Sequence, residues 1–343
     1  MSLVDSFEKI PVQIFEDDKK ASAHVAREIA NLIIHKQKEG KHCVLGLATG
    51  STPKTMYAEL VKIHKLEGLS FKNVITFNLD EYYPIEPEAL QSYNRFMQVH
   101  LFSQVDIDPA NTHVPDGTIN KDDIRVYAAS YEKEIEDAGG IDLQILGIGL
   151  NGHIGFNEPG SSRHSVTRMV ALDNSTRLAN AYEFPNMSQV PRLAITTGIN
   201  TILRAKRVVL LAWGMHKAHI IRRAVEGHVS EVVPASILQE HENCTFVMDE
   251  VAAQELTRNK SPWLTGEIDW NDKSIRKAVC NMALDSGKPI LMLTNDDYNN
   301  HGLSDLLVKL GNAYEINLKV FNGMRDSITG WPGGKYAEDL PRH

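Results

Sequence analysis

Short apolar segments rich in β-branched residues alternate with longer segments of helical periodicity over most of this chain. Helices that connect strands in this way produce a parallel sheet, and a sheet covered on both faces needs continuous apolar strands. The pattern therefore predicts an α/β fold with a doubly wound, mostly parallel sheet. The predicted strands are 43–48, 74–79, 142–148, 207–213 and 245–248, and the predicted helices are 21–37, 54–65, 124–138 and 216–225.

The composition changes near residues 259–267, where Lys260, Pro262 and Gly266 interrupt the alternation. We therefore predict two domains, 1–258 and 259–343. The second is expected to be a small C-terminal α/β extension that ends in a turn at 330–335 and a polar linker. Its predicted helices are 273–286 and 303–310, and its predicted strands are 289–293 and 316–321.

Charge and composition exclude several classes of protein. The 343 residues include 36 basic and 44 acidic side chains, a formal charge of −8, which gives no broad basic surface for nucleic acid. The apolar run 208–213 is far shorter than a membrane span, and the first fifteen residues lack the pattern of a secretory signal. The three cysteines show no CxxC spacing. We expect a cytoplasmic protein with reduced thiols and with neither a nucleic-acid nor a membrane partner.

A polar turn, Thr49-Gly50-Ser51-Thr52, joins the first predicted strand to a helix. Glycine allows close backbone approach, and exposed N–H groups at the start of a helix bind anions. The turn matches neither GxxxxGK[ST] nor GxGxxG, so it indicates neither a nucleoside triphosphate nor a dinucleotide. It predicts a phosphate site, although an ordinary strand-to-helix turn has the same composition.

Adjacent carboxylates, Asp80 and Glu81, follow the predicted strand 74–79. Ligands bind at the carboxyl edge of an open α/β sheet, so Asp80 is a candidate general base. A helix cap or a solvated pair of loop carboxylates is the other interpretation.

A glycine-rich segment, 146–162, places His153 five residues before Glu158. A carboxylate at that distance in the sequence can orient a histidine and stabilise its charged form, which predicts an acid/base pair. Metal binding is the competing use, but the segment has no cysteine, and His216 and His219 have no evident carboxylate companion. We therefore expect no metal. Lys217 begins a helix after the strand 207–213, where its ammonium group would reach a phosphate or remain solvated.

Taken together and in this order, these four segments resemble the glucosamine-6-phosphate deaminase family over residues 12–255. The most specific pieces are Phe-Asn-Leu-Asp-Glu-Tyr at 77–82 and Asn-Gly-His-Ile-Gly-Phe-Asn-Glu-Pro-Gly at 151–160. The resemblance implies a Rossmann-like sheet with a lid, and a metal-independent enzyme without a cofactor. The implied reaction converts glucosamine 6-phosphate to fructose 6-phosphate and ammonia in amino-sugar and N-acetylglucosamine catabolism. We also expect a homo-oligomer.

The resemblance also implies a role for each matching residue. Asp80 is the base that moves a proton between C2 and C1, and His153 opens the sugar ring with Glu158 as its partner. Asn151 stands beside this pair, where some members of the family have aspartate. The expected catalytic residues are Asp80, Asn151, His153 and Glu158, the expected phosphate-binding residues are Thr49, Gly50, Ser51, Thr52 and Lys217, and the expected lid residues are Ser92 and Tyr93.

Two departures from the family pattern concern binding. Tyr182 falls where the family has an arginine that grips the phosphate. Its loss weakens the grip or indicates another phosphosugar, unless Arg177 or Arg192 reaches the site. Val170 replaces a lysine of the members that N-acetylglucosamine 6-phosphate activates, so we expect that regulation to be absent.

Two other functions remain open. A 6-phosphogluconolactonase shares the fold and phosphate loop, but the continuation Phe156-Asn157-Glu158-Pro159 favours the deaminase. A sugar-phosphate sensor without catalysis would need no base above C2, which the presence of Asp80 argues against. Residues 259–343 are similar to the region that joins deaminase-like and deacetylase-like halves in longer fusion proteins.

Overall fold

Ten strands form two sheets in the computed structural model, which describes residues 7–329. The larger sheet has seven strands, all parallel, in the order β1-β10-β9-β6-β2-β3-β5. The predicted α/β class with a parallel sheet is thereby confirmed. The strands are β1 Val12–Phe15, β2 Cys43–Leu47, β3 Val74–Asn78, β4 Asp80–Tyr83, β5 Thr112–His113, β6 Leu143–Leu146, β7 Arg168–Ala171, β8 Leu193–Thr196, β9 Val208–Ala212 and β10 Cys244–Asp249.

Helices connect these strands and continue beyond them. Each amphipathic helix turns its apolar side to the interior, as in α1, where residues such as Val25, Ile29 and Ile33 are buried at helical spacing. The helices are α1 Asp18–Lys38, α2 Lys54–Glu67, α3 Tyr93–His100, α4 Ile124–Asp137, α5 Asn174–Asn180, α6 Ile199–Leu203, α7 Ala218–Glu226, α8 Thr257–Lys260, α9 Asp272–Ser286, α10 Asn295–Asn300, α11 Ser304–Leu310 and α12 Ala313–Thr329. Within the described part, no helix is both long and apolar enough to cross a membrane.

The strand order reverses between β2 and β6. From β2 the chain continues outward to β3 and β5, and from β6 it continues the other way to β9 and β10. The loops that leave β2 and β6 therefore diverge, and the crevice between them is where open α/β sheets bind ligands.

A second, three-stranded antiparallel sheet has the order β4-β8-β7. The sequence pattern did not predict it, because β4 reads Asp-Glu-Tyr-Tyr and β7 is only half buried or exposed. A small aromatic core packs against this sheet, formed by Tyr82, Tyr93, Phe156, Leu172 and Ala194.

The described chain divides into two compact units, Glu8–Glu255 and a unit that begins at Leu256. The domain boundary expected at 258/259 stays a prediction. The second unit is helical, so the predicted α/β extension is wrong in its strands. Residues 290–292 form one 3-10 turn, and the predicted strand 316–321 lies inside α12. The predicted turn at 330–335 and the polar tail lie outside the described residues.

The helical structure of the second unit follows from the spacing of its buried side chains. Ala313, Ile316 and Val320 are buried and lie three or four residues apart, which places them on one face of a helix. They pack with buried residues of α9, among them Val279 and Met282. Apolar residue type suggested a strand here, whereas the period of burial is helical.

Candidate active site

A cavity of about 460 Å³ lies where the loops after β2, β6 and β9 meet. Its position is the crevice expected from the reversal of strand order. The loops bring together segments of the chain that lie far apart in the sequence. The sequence-predicted residues that line the cavity are Thr49, Gly50, Ser51, Thr52, Asp80, Tyr93, His153 and Lys217.

The turn after β2 forms one wall. Gly50 has φ 97°, a left-handed conformation that favours glycine. Pro53 is the N-cap of α2 and makes no side-chain capping bond, so the first N–H groups of this helix are not capped by that residue. Trp213 Nε1 donates to the carbonyl of Thr52 at 2.9 Å, which links the turn to the loop after β9. The arrangement suits an anion at the start of α2.

Asp80 enters the cavity from the second sheet. β3 ends at Asn78, and Asp80 is the first residue of β4, so it does not lie at the end of a parallel strand as the sequence suggested. The carboxyl group is buried against Gly155, where a Cβ would lie 3.2 Å from Asp80 Oδ2. Burial and the negative charge of Glu81 raise the pKa of Asp80 to about 8, although a hydrogen bond from the Phe156 backbone opposes them. Its pKa is thus suited to proton transfer near neutral pH.

His153 and Glu158 are neighbours in the loop after β6. The distance from His153 Nδ1 to Glu158 Oε2 is 3.3 Å, and Thr176 Oγ1 lies 3.3 Å from the same nitrogen. Asn151 completes the cluster, because its Nδ2 donates to Glu158 Oε2 at 2.7 Å and its Oδ1 accepts from the His153 backbone N–H at 3.2 Å. Asn151 and Glu158 are not among the residues that line the cavity. They contact His153 without lining the cavity, and so fix its position.

The charge of Glu158 is strongly favoured. Burial alone would raise the pKa of Glu158, but hydrogen bonds from His153, Thr176 and Asn151, together with the charge of His153, lower it to about 2. The carboxylate therefore remains ionised at neutral pH and can stabilise a protonated His153.

Glycine is required beside the histidine ring. A Cβ at residue 149 would lie 2.2 Å from His153 Cε1, far inside the contact distance of two carbon atoms. The backbone N–H of Gly149 also donates to the carbonyl of His153 at 2.9 Å. The ring thus lies directly on the backbone of its own loop.

Lys217 lies in the 3-10 turn Met215–Lys217 after β9, immediately before α7. Its Nζ donates to the carbonyl of Ile148 at 2.6 Å, so it bridges the loops after β9 and β6. Burial lowers the pKa of Lys217 to about 8. A bound phosphate would offset this burial by stabilising the ammonium form.

Residues 16–247 match the family model of glucosamine-6-phosphate isomerases/6-phosphogluconolactonase. The chain belongs to this family. A glucosamine-6-phosphate deaminase of Shewanella loihica is 50% identical over 237 residues, which cover 69% of this chain and 88% of that protein. A glucosamine-6-phosphate deaminase of Halothermothrix orenii is 47% identical over 245 residues, which cover 71% of this chain and 99% of that protein.

A longer relative matches nearly the whole chain. The glucosamine-6-phosphate deaminase-like protein of Bacteroides thetaiotaomicron is 48% identical over 338 residues, or 98% of this chain but 51% of that protein. The chain therefore spans about half the length of this relative.

Solved structures of the family agree with the fold. A monomeric glucosamine-6-phosphate deaminase superposes with a TM-score of 0.69 at 41% identity and covers 72% of this chain and 100% of its own. The 6-phosphogluconolactonase of Trypanosoma brucei has a TM-score of 0.60 at 20% identity and covers 73% of this chain and 99% of its own. At that identity the second likeness concerns the fold alone.

No arginine in the described cavity lining takes the place of the one that the resemblance implies at residue 182. Tyr182 lines the cavity at the expected position, but its ring is 72% exposed and its hydroxyl donates to Glu183 Oε1 at 3.1 Å. The guanidinium of Arg177 points elsewhere, since its Nη2 donates to the carbonyl of Val190 at 3.0 Å. Neither Arg177 nor Arg192 is a lining residue.

Sequence reasoning gave no role to several residues at the site. Asn180, Glu183 and His216 line the cavity, and Glu81 is buried behind Asp80. His216 could have been identified from the sequence, because it directly precedes Lys217, a predicted site residue. Asn180 and Glu183 reach the cavity through α5 and the 3-10 turn Ala181–Glu183, and no local pattern marks them as polar lining.

Proposed function

We propose that this chain converts glucosamine 6-phosphate and water to fructose 6-phosphate and ammonia, without a metal or an organic cofactor. The observation that carries the proposal is the convergence of Asp80, His153 and the turn 49–52 with Lys217 on one cavity. Relatives named glucosamine-6-phosphate deaminase, at 45–50% identity, support the choice of reaction within the family.

Ring opening is the first step, and His153 catalyses it. The imidazole takes the proton of the anomeric hydroxyl and returns a proton to the ring oxygen, so the bond between C1 and the ring oxygen breaks and C1 becomes an aldehyde. The ionised Glu158, with a pKa of about 2, stabilises the imidazolium between these transfers.

Asp80 then moves a proton from C2 to C1. Its carboxylate removes the C2 proton, the electron pair of that bond forms a C1–C2 double bond, and the aldehyde oxygen takes a proton from the substrate's ammonium group, which becomes a neutral amine. Return of the proton from Asp80 to C1, with the nitrogen lone pair forming a C–N double bond, leaves an iminium group at C2. Water adds to C2 and transfers a proton to the nitrogen, the C2–N bond breaks, and ammonia departs; the oxygen loses its remaining proton to the ammonia and becomes the C2 ketone. The substrate's ammonium group favours the ionised form of Asp80, whose pKa in the free protein is about 8.

The phosphate supplies binding energy at a distance from the reacting carbons. The turn 49–52, the start of α2 and Lys217 form the anion site, and orientation of the sugar over Asp80 lowers the barrier to proton transfer. Tyr182 contributes no positive charge to this site, so we expect a weaker phosphate grip than in members with the arginine.

The test measures ammonia release from a panel of amino-sugar phosphates, together with exchange of solvent deuterium into C2. We expect the parent chain to release ammonia from glucosamine 6-phosphate and to exchange C2, and Asp80→Asn to lose exchange while it still binds the sugar phosphate. Near-parental exchange in Asp80→Asn would remove it from the role of base. Hydrolysis of 6-phosphogluconolactone without ammonia release from any amino sugar would favour the lactonase instead.

We further propose that the reaction serves amino-sugar and N-acetylglucosamine catabolism in the cytoplasm, because its substrate and product are charged phosphosugars that do not cross a bilayer unaided. The homo-oligomer stays a prediction, and one solved relative is described as monomeric. Analytical ultracentrifugation of the full chain measures the assembly state directly.

A further inference from the structure

A buried carboxylate that the mechanism above does not use lies directly beside the base. Glu81 is 1% exposed and follows Asp80 in β4. Successive side chains of a strand point to opposite faces, so Asp80 lines the cavity and Glu81 points away from it.

Four donors surround this carboxylate. Glu81 Oε1 accepts from the backbone N–H groups of Tyr82 and Tyr93, each at 2.9 Å. Oε2 accepts from Ser92 Oγ at 2.7 Å and from the backbone N–H of Asn94 at 3.0 Å. Ser92 is the N-cap of α3, so three of these donors belong to the start of that helix.

The first residue of α3, Tyr93, forms part of the cavity wall. Tyr93 lines the cavity, and its ring stacks on Phe156 with centroids 6.0 Å apart and an interplanar angle of 17°. Its ring also lies 4.9 Å from that of Tyr82. Any shift of the first turn of α3 therefore moves an aromatic wall of the substrate cavity.

We propose that Glu81 is a positioning residue for the deamination: its carboxylate fixes the first turn of α3, and with it Tyr93, against the cavity, and it keeps a negative charge behind Asp80. The inference rests on the proposed function, because it assigns Glu81 to that same site. Burial raises the pKa of Glu81 itself, although its four donors oppose this effect. In its ionised form Glu81 raises the pKa of Asp80, in addition to the effect of burial. The other titratable side chains that share the cavity with Asp80 are Tyr93, His153, Glu183, His216 and Lys217.

Glutamine cannot replace this carboxylate, although it has the same shape. The N–H groups of Tyr82, Tyr93 and Asn94 can only donate, whereas one end of a glutamine amide also donates. In Glu81→Gln an NH2 group must take the place of one of the two carboxylate oxygens. In either place it lies against a backbone N–H group, which is then buried without an acceptor.

The experiment compares Glu81→Gln with Glu132→Gln in the full chain. Glu132 is also a carboxylate surrounded by donors, with Oε1 accepting from Thr167 Oγ1 and Thr201 Oγ1, each at 2.6 Å, and Oε2 accepting from Arg204 Nη2 at 2.7 Å. None of these residues lines the cavity. The control therefore loses similar hydrogen bonds among residues that do not line the cavity.

Three readouts distinguish positioning from general stability. We expect Glu81→Gln to raise KM for glucosamine 6-phosphate about tenfold, from the loss of one hydrogen bond to a charged group. We also expect faster hydrogen exchange at the amides of Tyr93 and Asn94. Finally, the limb of the kcat/KM profile that rises with pH should move to lower pH, because Asp80 ionises more easily without a charge behind it. Glu132→Gln should leave all three unchanged.

Ser92→Ala is a second, milder variant that removes one donor and keeps the carboxylate. It should raise KM less than Glu81→Gln and leave the pH profile in place, and it decides the matter if Glu81→Gln does not fold. Parental KM, amide exchange and pH profile in Glu81→Gln, or unchanged KM and amide exchange in Ser92→Ala, would overturn the inference. Absence of ammonia release by the parent chain would instead overturn the proposed function, while the amide exchange of Glu81→Gln would still report on the clamp of α3.

Discussion

Replacement of Asp80 by asparagine should stabilise the fold, and the gain should grow with pH. Burial and the charge of Glu81 raise the pKa of Asp80 from its ordinary 3.8 to about 8. Between these two pH values the unfolded chain has lost the proton that the folded chain keeps, so rising pH favours unfolding. Asparagine stays neutral in both states and can still accept the hydrogen bond from the Phe156 backbone, so it removes this dependence.

The size of the effect follows from the two pKa values. Each unit of difference is worth about 1.4 kcal/mol, so the ordinary 3.8 and the raised value of about 8 set an upper limit of about 6 kcal/mol, reached above pH 8. At about pH 5.5 the cost is about 2 kcal/mol. The stability gap between Asp80→Asn and the parent should therefore widen by up to about 3 kcal/mol between pH 5.5 and 8.5.

The assay must report on the unit that contains Asp80, because the chain divides into two compact units and a chain of several domains does not in general unfold in one transition. Hydrogen exchange of the buried amides of β2 and β3 gives the free energy of unfolding of that unit at each pH. Asp122→Asn, at an exposed loop position, is the control. A gap that stays constant over this range would show that Asp80 carries no raised pKa, and the assignment of a base suited to neutral pH would fail with it.

Three further predictions concern the other groups of the site. Glu158→Gln should lower the free energy of unfolding at pH 7 by about 1–3 kcal/mol, measured by the same amide exchange. Because the folded pKa of Glu158 is about 2, this loss should vanish as the pH falls from about 4.5 to 2. Equal stability of variant and parent at pH 7 would contradict the prediction. Lys217→Ala should raise KM for glucosamine 6-phosphate by about tenfold or more, and Tyr182→Arg should lower it. Neither substitution should change the kinetic constants for glucosamine, which has no phosphate. An unchanged KM for glucosamine 6-phosphate in Lys217→Ala would remove this lysine from the phosphate site. His153→Gln should reduce kcat on the cyclic substrate about 10²-fold or more, whereas an open-chain amino-polyol phosphate should bind as tightly as it does to the parent. An equally large loss of affinity for that analogue would mean that His153 binds the sugar and does not open its ring.

Five strands of the central sheet could be predicted because they are almost wholly buried and mostly apolar, whereas β1 and β5, which are half buried, were missed. Cys43–Leu47 and Val208–Ala212 are buried throughout, and the pattern located both within a residue at either end. The switch between β2 and β6 depends on strand order, which no local pattern contains. The second sheet was missed because its strands are short and mixed in polarity, as in β4.

The second unit shows how residue type misleads when its spacing is ignored. The run 316–321 contains Ile316, Val320 and Phe321, residue types that favour strands, but the buried members lie four apart. Asn317, between them in sequence, is fully buried too, and its Oδ1 accepts from the hydroxyl of Tyr298 at 2.8 Å. A helix places Asn317 on the inner face next to Ile316, whereas a strand would turn it outward.

Asp80, which lines the cavity, and Glu158, which lies behind His153, are carboxyl groups with opposite environments. Both are carboxyl groups shielded from water, yet burial dominates at Asp80, which has one backbone donor, and donors dominate at Glu158, which has His153, Thr176 and Asn151. Their pKa values consequently separate to about 8 and about 2. This separation supports the proposed roles, in which Asp80 exchanges protons near neutral pH and the ionised Glu158 acts through His153. Both residues could be found from the sequence, but the surroundings that separate their pKa values could not: Asp80 has the charge of Glu81 beside it, whereas Glu158 has three donors and the charge of His153.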